Sequence, residues 1–178
     1  MALPLARTPK ESHLYIELHA CECGEADVEH RSHSTGQGDG YWISHYDLTC
    51  PGCGADREFA FRVPDWPSST GGYGGSEPSE IIDAGQWLII ADLTASAVPV
   101  TPSRAAKERA EQRRTLEMAV DAMTEILKFV PGREPAVPDS AFWTPEGRAQ
   151  RDREPGRFHR DRLEVVLDSY RRALARFS

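Results

Sequence analysis

The four cysteines of the chain form two tight pairs, and sulfur ligands in this arrangement can bind a metal. Cys21 and Cys23 have one residue between them, and Cys50 and Cys53 have two. Two thiolates on each of two turns can supply four soft ligands to one tetrahedral Zn²⁺. Because four cysteines fill that coordination sphere, no position is left for a reactive water. We therefore expect one structural zinc per chain.

Disulfides and free thiols are the other possible states of these cysteines. Residues 1–10 contain no apolar run of the kind that forms a secretory signal, and no transmembrane run follows, so we expect a cytoplasmic protein with reduced thiols. Unrelated free thiols would not be expected to fall into two pairs that are each followed by glycine. His19 lies two residues before the first pair and is an alternative ligand.

The residues around the pairs favour sharp turns at the metal. Gly24 and Gly54 follow the two pairs, and glycine adopts the backbone angles that such turns require. Pro51 restricts φ inside the second turn. At this point the N-terminal part of the sequence resembles a zinc ribbon or a rubredoxin-like knuckle pair. The segment from Cys50 to Gly54 matches the usual knuckle, whereas the first pair departs from it by having one intervening residue.

The segments that flank the cysteines read as β-strands. Apolar residues alternate with polar ones before the first pair and after the second, and aromatic and β-branched residues precede the second. A glycine-rich run at residues 36–40 predicts a hairpin tip. The predicted strands are residues 13–20, 25–34, 41–49 and 57–63, and they form an antiparallel sheet with the metal at two hairpin corners.

Composition changes after the last predicted strand. We expect a zinc-ribbon-like β domain at residues 1–65, a Gly/Ser/Pro-rich linker or loop at 66–78 and a helical region at 79–178. The predicted fold class is α+β, with a zinc-stapled antiparallel sheet followed by three or four helices. The apolar residues of the two longest predicted helices recur at three- and four-residue steps: Leu116, Ala119, Val120, Met123, Ile126, Leu127 and Val130 in one, and Leu163, Val166, Leu167, Tyr170, Leu174 and Phe177 in the other.

The helix boundaries also have sequence signatures. Asp83 followed by Gln86 forms a capping-box pattern that predicts a helix start. Thr101 followed by Pro102 predicts the start of the next helix. A short helix is expected from Pro145 until the Pro155-Gly156 pair.

The charges are distributed unevenly. Residues 1–100 hold 15 acidic and 5 basic side chains, whereas residues 101–178 hold 13 and 16. A phosphate-binding face needs clustered basic residues, so the acidic cysteine-containing end is not expected to bind nucleic acid. The alternative basic surface consists of arginines interleaved with acidic residues, as on a solvated helix face with local ion pairs: Arg148, Arg151, Arg153, Arg157, Arg160 and Arg162.

No established catalytic pattern is present. The glycine-rich run at residues 71–75 lacks the Lys-Ser/Thr of a phosphate-binding loop, and no Gly-x-Ser-x-Gly elbow occurs. His30 and His33, with nearby Asp27 and Glu29, are candidates for a second metal or acid–base cluster. The aromatic residues either pack the sheet and helices or form an anchor for a partner: Tyr41, Trp42, Tyr46, Trp66, Tyr73, Phe142 and Trp143.

These features favour a non-enzymatic, cytoplasmic protein that binds another protein with a basic surface. In its acidity and its lack of catalytic motifs, the chain is similar to bacterial immunity proteins, the antidotes to secreted toxins. An antitoxin-like inhibitor is therefore one expected role. The alternative is a zinc-ribbon regulator that contacts nucleic acid through its arginine-rich helical half. Neither reading involves a membrane, and neither predicts an oligomeric state.

Overall fold

The protein consists of two units, Met1–Ile81 and Ile82–Ser178. The computed structural model describes residues 3–38, 40–65 and 72–177. Residues 66–71 of the predicted linker therefore lie outside the described residues.

The N-terminal unit contains one helix and a three-stranded antiparallel sheet. Helix α1 spans Pro9–Leu18, and the strands are β1 (Glu29–Gly38), β2 (Tyr41–Thr49) and β3 (Asp56–Val63). The strands are ordered β1-β2-β3. The predicted α+β class, with an N-terminal antiparallel sheet before the C-terminal helices, is confirmed.

The prediction of a strand at residues 13–20 is wrong, because most of this segment belongs to helix α1. Thr8 caps the helix by accepting a hydrogen bond from the Glu11 backbone, and Pro9 occupies the first turn. Ser12 and Ile16 are buried at helical spacing. The alternation of apolar residues favours a strand, whereas the residues that start the helix, Thr8 and Pro9, lie before the alternating segment. The buried residues of this segment recur at helical spacing.

The other three predicted strands are present, with shifted bounds in β1 and β3. β1 begins at Glu29 and continues through Gly36 and Gly38, which the glycine-rich pattern places in the hairpin tip. A register shift between His30 and Ser32 marks a bulge in its pairing with β2. β2 has the predicted bounds, and β3 begins one residue early.

Helix α1 covers one face of the sheet. Its Tyr15 ring lies edge-on to Phe61 at 5.4 Å, and its His13 ring lies edge-on to Tyr46 at 5.4 Å. Leu48, on the same face as Tyr46, is buried. The core of this unit therefore lies between α1 and the sheet.

The chain returns to the start of α1 after β3. Tyr73 is buried, and its backbone carbonyl accepts a hydrogen bond of 2.9 Å from the Thr8 hydroxyl. Arg7 forms a buried ion pair with Glu11 and also donates to the carbonyl of Glu77. Described residues at the C-terminal end of the predicted linker are thus packed against the first turn of α1.

The C-terminal unit contains four α-helices within the described residues: α2 (Ala84–Ser96), α3 (Ala106–Lys128), α4 (Pro145–Arg153) and α5 (Arg160–Leu174). This agrees with the predicted three or four helices. The capping box at the start of α2 and the short helix beginning at Pro145 are confirmed.

The predicted start of the long helix at Thr101 is wrong, because α3 begins at Ala106. The Ser103 backbone N–H donates to the side chain of Gln112, and the Ser103 hydroxyl donates to Glu108. These hydrogen bonds from Ser103 to side chains of α3 hold the preceding segment as a loop.

Helix α3 packs against both α2 and α5. The predicted stripes supply this interface: Ile126 and Met123 on α3 are buried, as are Leu163 and Leu167 on α5. Within the described part of the chain, no helix combines the length and apolar character needed to span a membrane.

Candidate metal centre

The four predicted cysteines meet at one point. Their sulfur atoms all lie within 4.8 Å of one another and could hold a metal ion. The Cys21 and Cys53 sulfurs are 3.7 Å apart, and the Cys23 and Cys50 sulfurs are 3.5 Å apart. A tetrahedron with Zn–S bonds of about 2.3 Å has sulfur–sulfur edges of about 3.8 Å. The donor set and its spacing therefore fit a four-coordinate metal.

Different elements position the two pairs. Cys50 and Cys53 lie in the β2–β3 turn, whereas Cys21 and Cys23 lie in the loop between α1 and β1. Only the second pair occupies a hairpin corner, contrary to the prediction for the first. The loop is attached to the sheet by Arg57 of β3, which donates a hydrogen bond to the carbonyl of His19.

Backbone hydrogen bonds shape both turns. In the first, the Cys21 N–H donates to the Glu25 carbonyl at 2.7 Å, and the Gly24 N–H donates to the Cys21 carbonyl at 2.8 Å. In the second, Cys50 makes the equivalent pair of bonds with Ala55 and Gly54, at 2.9 and 2.8 Å. The two turns thus share one hydrogen-bonding scheme despite their different lengths.

The glycine after each pair is required by the backbone angles. Gly24 has a φ of 92° and Gly54 a φ of 72°, in the region that side chains with a Cβ rarely adopt. Gly52 has a different role, because a Cβ there would lie 3.2 Å from the Cβ of Glu25 and 3.6 Å from the Cys23 sulfur. Its small size lets the two turns approach each other.

The thiols differ in exposure and acidity. Cys50 is fully buried, whereas Cys23 and Cys53 are exposed. Burial raises the pKa of Cys50, but backbone N–H donation from Cys53, with further hydrogen bonds, lowers that pKa to about 7. Donation from the Ala55 N–H lowers the pKa of Cys53, yet the neighbouring thiols raise it to about 12. Thiols this close cannot all ionise without a cation, which a bound metal would supply.

The alternative ligand His19 does not belong to the converging group of cysteines. Its Nδ1 lies 2.7 Å from the carbonyl oxygen of Tyr15, and its ring packs on the Tyr15 ring. The four cysteines are the only group of metal-ligating side chains that converges within residues 3–38, 40–65 and 72–177.

The other candidate cluster does not form a metal site among those residues. The His33 ring stacks on Tyr46 at 4.5 Å, and its Nε2 lies 2.7 Å from the Ser44 hydroxyl. The His30 ring contacts the ring of His13 at 5.6 Å. These histidines are part of the boundary between α1 and the sheet.

The aromatic residues divide between core and surface. Tyr46, Tyr73 and Phe142 are buried, Tyr41 and Trp42 are half-buried, and Trp143 is 39% exposed. Trp66 lies outside the described residues. The aromatic residues therefore do not form one exposed anchor in the described chain.

No protein-family model, curated protein or solved structure matches this chain.

Proposed function

We propose that the protein is a non-enzymatic binding protein whose N-terminal unit is stabilised by one structural Zn²⁺ and binds a basic partner protein. The observation that carries the metal part is the convergence of four cysteine sulfurs within 4.8 Å of one another, with two sulfur–sulfur distances of 3.7 and 3.5 Å. Four thiolates are the donor set typical of structural zinc, and they leave no open position for catalysis.

The zinc has a clear structural task in this unit. It joins the loop after α1 to the β2–β3 turn, so it connects the helix to the sheet that it covers. A sheet of three strands with a single short helix buries little apolar surface, and small units of this kind are commonly stabilised by metal. Structural zinc contributes on the order of 10 kcal/mol of binding free energy in small modules.

The charge of the N-terminal unit supports a basic partner. Residues 1–81 hold 13 acidic and 5 basic side chains. Glu22, Asp27 and Glu29, near the first cysteine pair, are exposed. Such a surface accelerates association with a positively charged protein through long-range attraction. An antitoxin-like inhibitor of a basic toxin is one role of this kind.

The contacts of the arginine-rich segment count against the alternative, nucleic-acid binding. Arg157 forms a two-pronged ion pair with Asp92, and Arg151 pairs with Asp139. Arg160 donates to the backbone carbonyls of Val130, Gly132 and Glu134. Guanidinium groups that satisfy internal acceptors are less available to phosphates.

Elemental analysis of the purified protein tests the metal part. We expect one zinc per chain in the wild type, loss of zinc in Cys53→Ser, and retention in the matched control Glu22→Gln, which alters an exposed neighbour of the ligands. A strong chelator should lower the unfolding temperature of the wild type. A metal-free protein whose stability ignores the chelator would refute the structural zinc.

Affinity capture from the native host, followed by association kinetics, tests the partner. The partner should be basic, and its association rate should fall as salt rises, because the screening length is about 10 Å at 0.1 M salt. Reversing Glu22, Asp27 and Glu29 to lysine should slow association at low salt and leave the zinc content unchanged. A rate that ignores both changes would exclude an electrostatic role for this surface.

A further inference from the structure

A cavity of about 260 Å³ lies on the face of the sheet that helix α1 covers, next to the first turn of the helix. All three strands contribute side chains to it from this face. Thr35 of β1 lies opposite Ser44 of β2, and Val63 of β3 lies opposite Trp42 of β2. Pro9 at the start of α1 also lines it. We call this feature the hairpin cavity.

The size and lining of the hairpin cavity suit an aromatic ring. Its surface is mainly apolar and includes the rings of Trp42 and Tyr46 and the side chains of Val63, Pro9 and Pro64. An apolar protein cavity of about 150 Å³ is large enough to bind benzene. The hairpin cavity is larger, so it has room for one ring or two fused rings.

The charges at the cavity favour an uncharged ligand. Arg7 and Asp65 both line it. Arg7 is held in a buried ion pair with Glu11, so its charge is already balanced. Asp65 forms no ion pair with another described residue. An anionic ligand would meet the Asp65 carboxylate without a compensating cation, and like charges at close range oppose binding.

One buried polar group at the cavity has no partner among the described residues. Tyr46 is 2% exposed, and no hydrogen bond joins its hydroxyl to another described residue. The other buried hydroxyls that line the cavity are satisfied: Ser44 lies 2.7 Å from Nε2 of His33, and Thr8 donates to the Tyr73 carbonyl at 2.9 Å. Buried polar groups normally have a hydrogen-bond partner, so the Tyr46 hydroxyl is the donor left for a ligand.

We propose that the hairpin cavity binds a small, uncharged aromatic molecule of one or two rings that accepts a hydrogen bond from the Tyr46 hydroxyl. The rings of the ligand pack against Trp42, Val63 and the two prolines, and its acceptor atom faces Tyr46. Thr35 and Pro64 are exposed and mark the open side of the cavity. An apolar pocket with few polar groups that orient the ligand is the usual form of a small-molecule site.

This site is separate from the surface proposed for the basic partner. Thr35 lies six residues along β1 from Glu29, or about 20 Å at the rise of a strand. The partner surface depends on charge, whereas the hairpin cavity binds an uncharged molecule. Ligand binding should therefore be insensitive to salt, and either proposal can fail without the other.

NMR titration of the zinc-loaded, isotope-labelled full chain tests the site with matched probes. Quinoline and isoquinoline are uncharged at neutral pH and each carry one ring nitrogen as an acceptor, at different positions. Naphthalene has the same shape without an acceptor, and naphthoate adds a negative charge. We expect the tighter-binding of the two nitrogen probes to shift the amide signals of residues 33–35 and 42–46, and naphthoate to bind more weakly than naphthalene.

Substitutions locate the probe and identify its polar contact. Tyr46→Phe should weaken the nitrogen probe about threefold to tenfold, as loss of one hydrogen bond does, and leave naphthalene unchanged. Tyr15→Phe, which alters a tyrosine that does not line the cavity, is the matched control. Thr35→Trp should fill the cavity and abolish binding of both probes, whereas Ser34→Trp, its neighbour on the opposite face of β1, should not. Zinc content and circular dichroism verify that each variant is folded.

Four results would overturn the inference. They are no shift at residues 33–35 and 42–46, binding that ignores Thr35→Trp, and equal weakening of the nitrogen probe and naphthalene by Tyr46→Phe. The fourth is binding that appears only in Trp66→Ala, because the chain itself would then occupy the cavity.

Discussion

The Asp83 carboxylate joins the N-termini of two helices by binding Thr144. Its Oδ2 accepts hydrogen bonds from the Thr144 backbone N–H at 2.8 Å and from the Thr144 hydroxyl at 2.7 Å. Its Oδ1 accepts from the Gln86 N–H of α2 at 2.9 Å, and the Thr144 hydroxyl in turn caps α4. One buried carboxylate thus satisfies donors at the positive ends of α2 and α4.

Replacing Asp83 should destabilise the C-terminal unit strongly. Asp83→Ala removes a cap and several hydrogen bonds to a buried charge, so we expect a loss of about 3 kcal/mol in the free energy of unfolding. Asp168→Ala, which removes an exposed ion pair with Arg172, is the control and should cost less than about 1 kcal/mol. Denaturant melts followed by circular dichroism measure both, and equal effects would contradict a shared cap.

The same helix crossing requires two glycines. A Cβ added at Gly85 would overlap the backbone of Gly147, and a Cβ at Gly147 would overlap the Asp83 carboxylate. Gly85→Ala and Gly147→Ala should therefore lower stability by roughly 1–3 kcal/mol, as overpacking does. Gly156→Ala meets open space and should be nearly neutral. A Gly85→Ala melt that coincides with the wild type would show that the helices can separate without cost.

Two adjacent residues of α3 should differ in their contribution to the core. Ile126 is fully buried, whereas Leu127 is half-buried. Ile126→Ala should cost about 2–5 kcal/mol, and Leu127→Ala should cost clearly less, because less apolar surface leaves the core. The change in denaturation midpoint provides the comparison, and a larger cost for Leu127→Ala would contradict the observed orientation of the helix.

His13 should titrate below its ordinary value. Partial burial lowers the pKa of His13 from 6.5, and the nearby His30 and His33 lower it further, while Glu17 opposes the shift. Because the unfolded chain then takes up the proton more readily, the stability of this unit should decrease as the pH falls from 6.5 through the folded-state pKa. NMR titration of the His13 ring measures that pKa.

His30→Ala should raise the pKa of His13 by removing a like charge. His45→Ala serves as the control, since His45 lies on the other face of the sheet and is absent from the groups that act on His13. An unchanged pKa in His30→Ala would remove His30 as a cause of the shift.

The candidate metal ligands and most of the regular structure could be predicted from local sequence patterns. Each cysteine pair, Cys21 with Cys23 and Cys50 with Cys53, places two sulfur donors within a few residues of each other. The strand at residues 41–49 is rich in aromatic and β-branched residues, which favour a strand. The capping box at Asp83 is likewise local, because its partner Gln86 is three residues away.

The remaining features depend on residues that are distant in the chain. Residues 13–20 alternate like a strand, yet the Thr8 cap, Pro9 and a contact face on Tyr46 and Phe61 make most of this segment a helix, since tertiary packing outweighs a short periodic pattern. Asp83 meets Thr144 across 61 positions in sequence, a separation over which no local pattern operates. Local patterns thus locate the four cysteines that could hold a metal and most of the helices and strands, whereas tertiary packing sets which surfaces are buried, because its contacts join residues that are far apart in the chain.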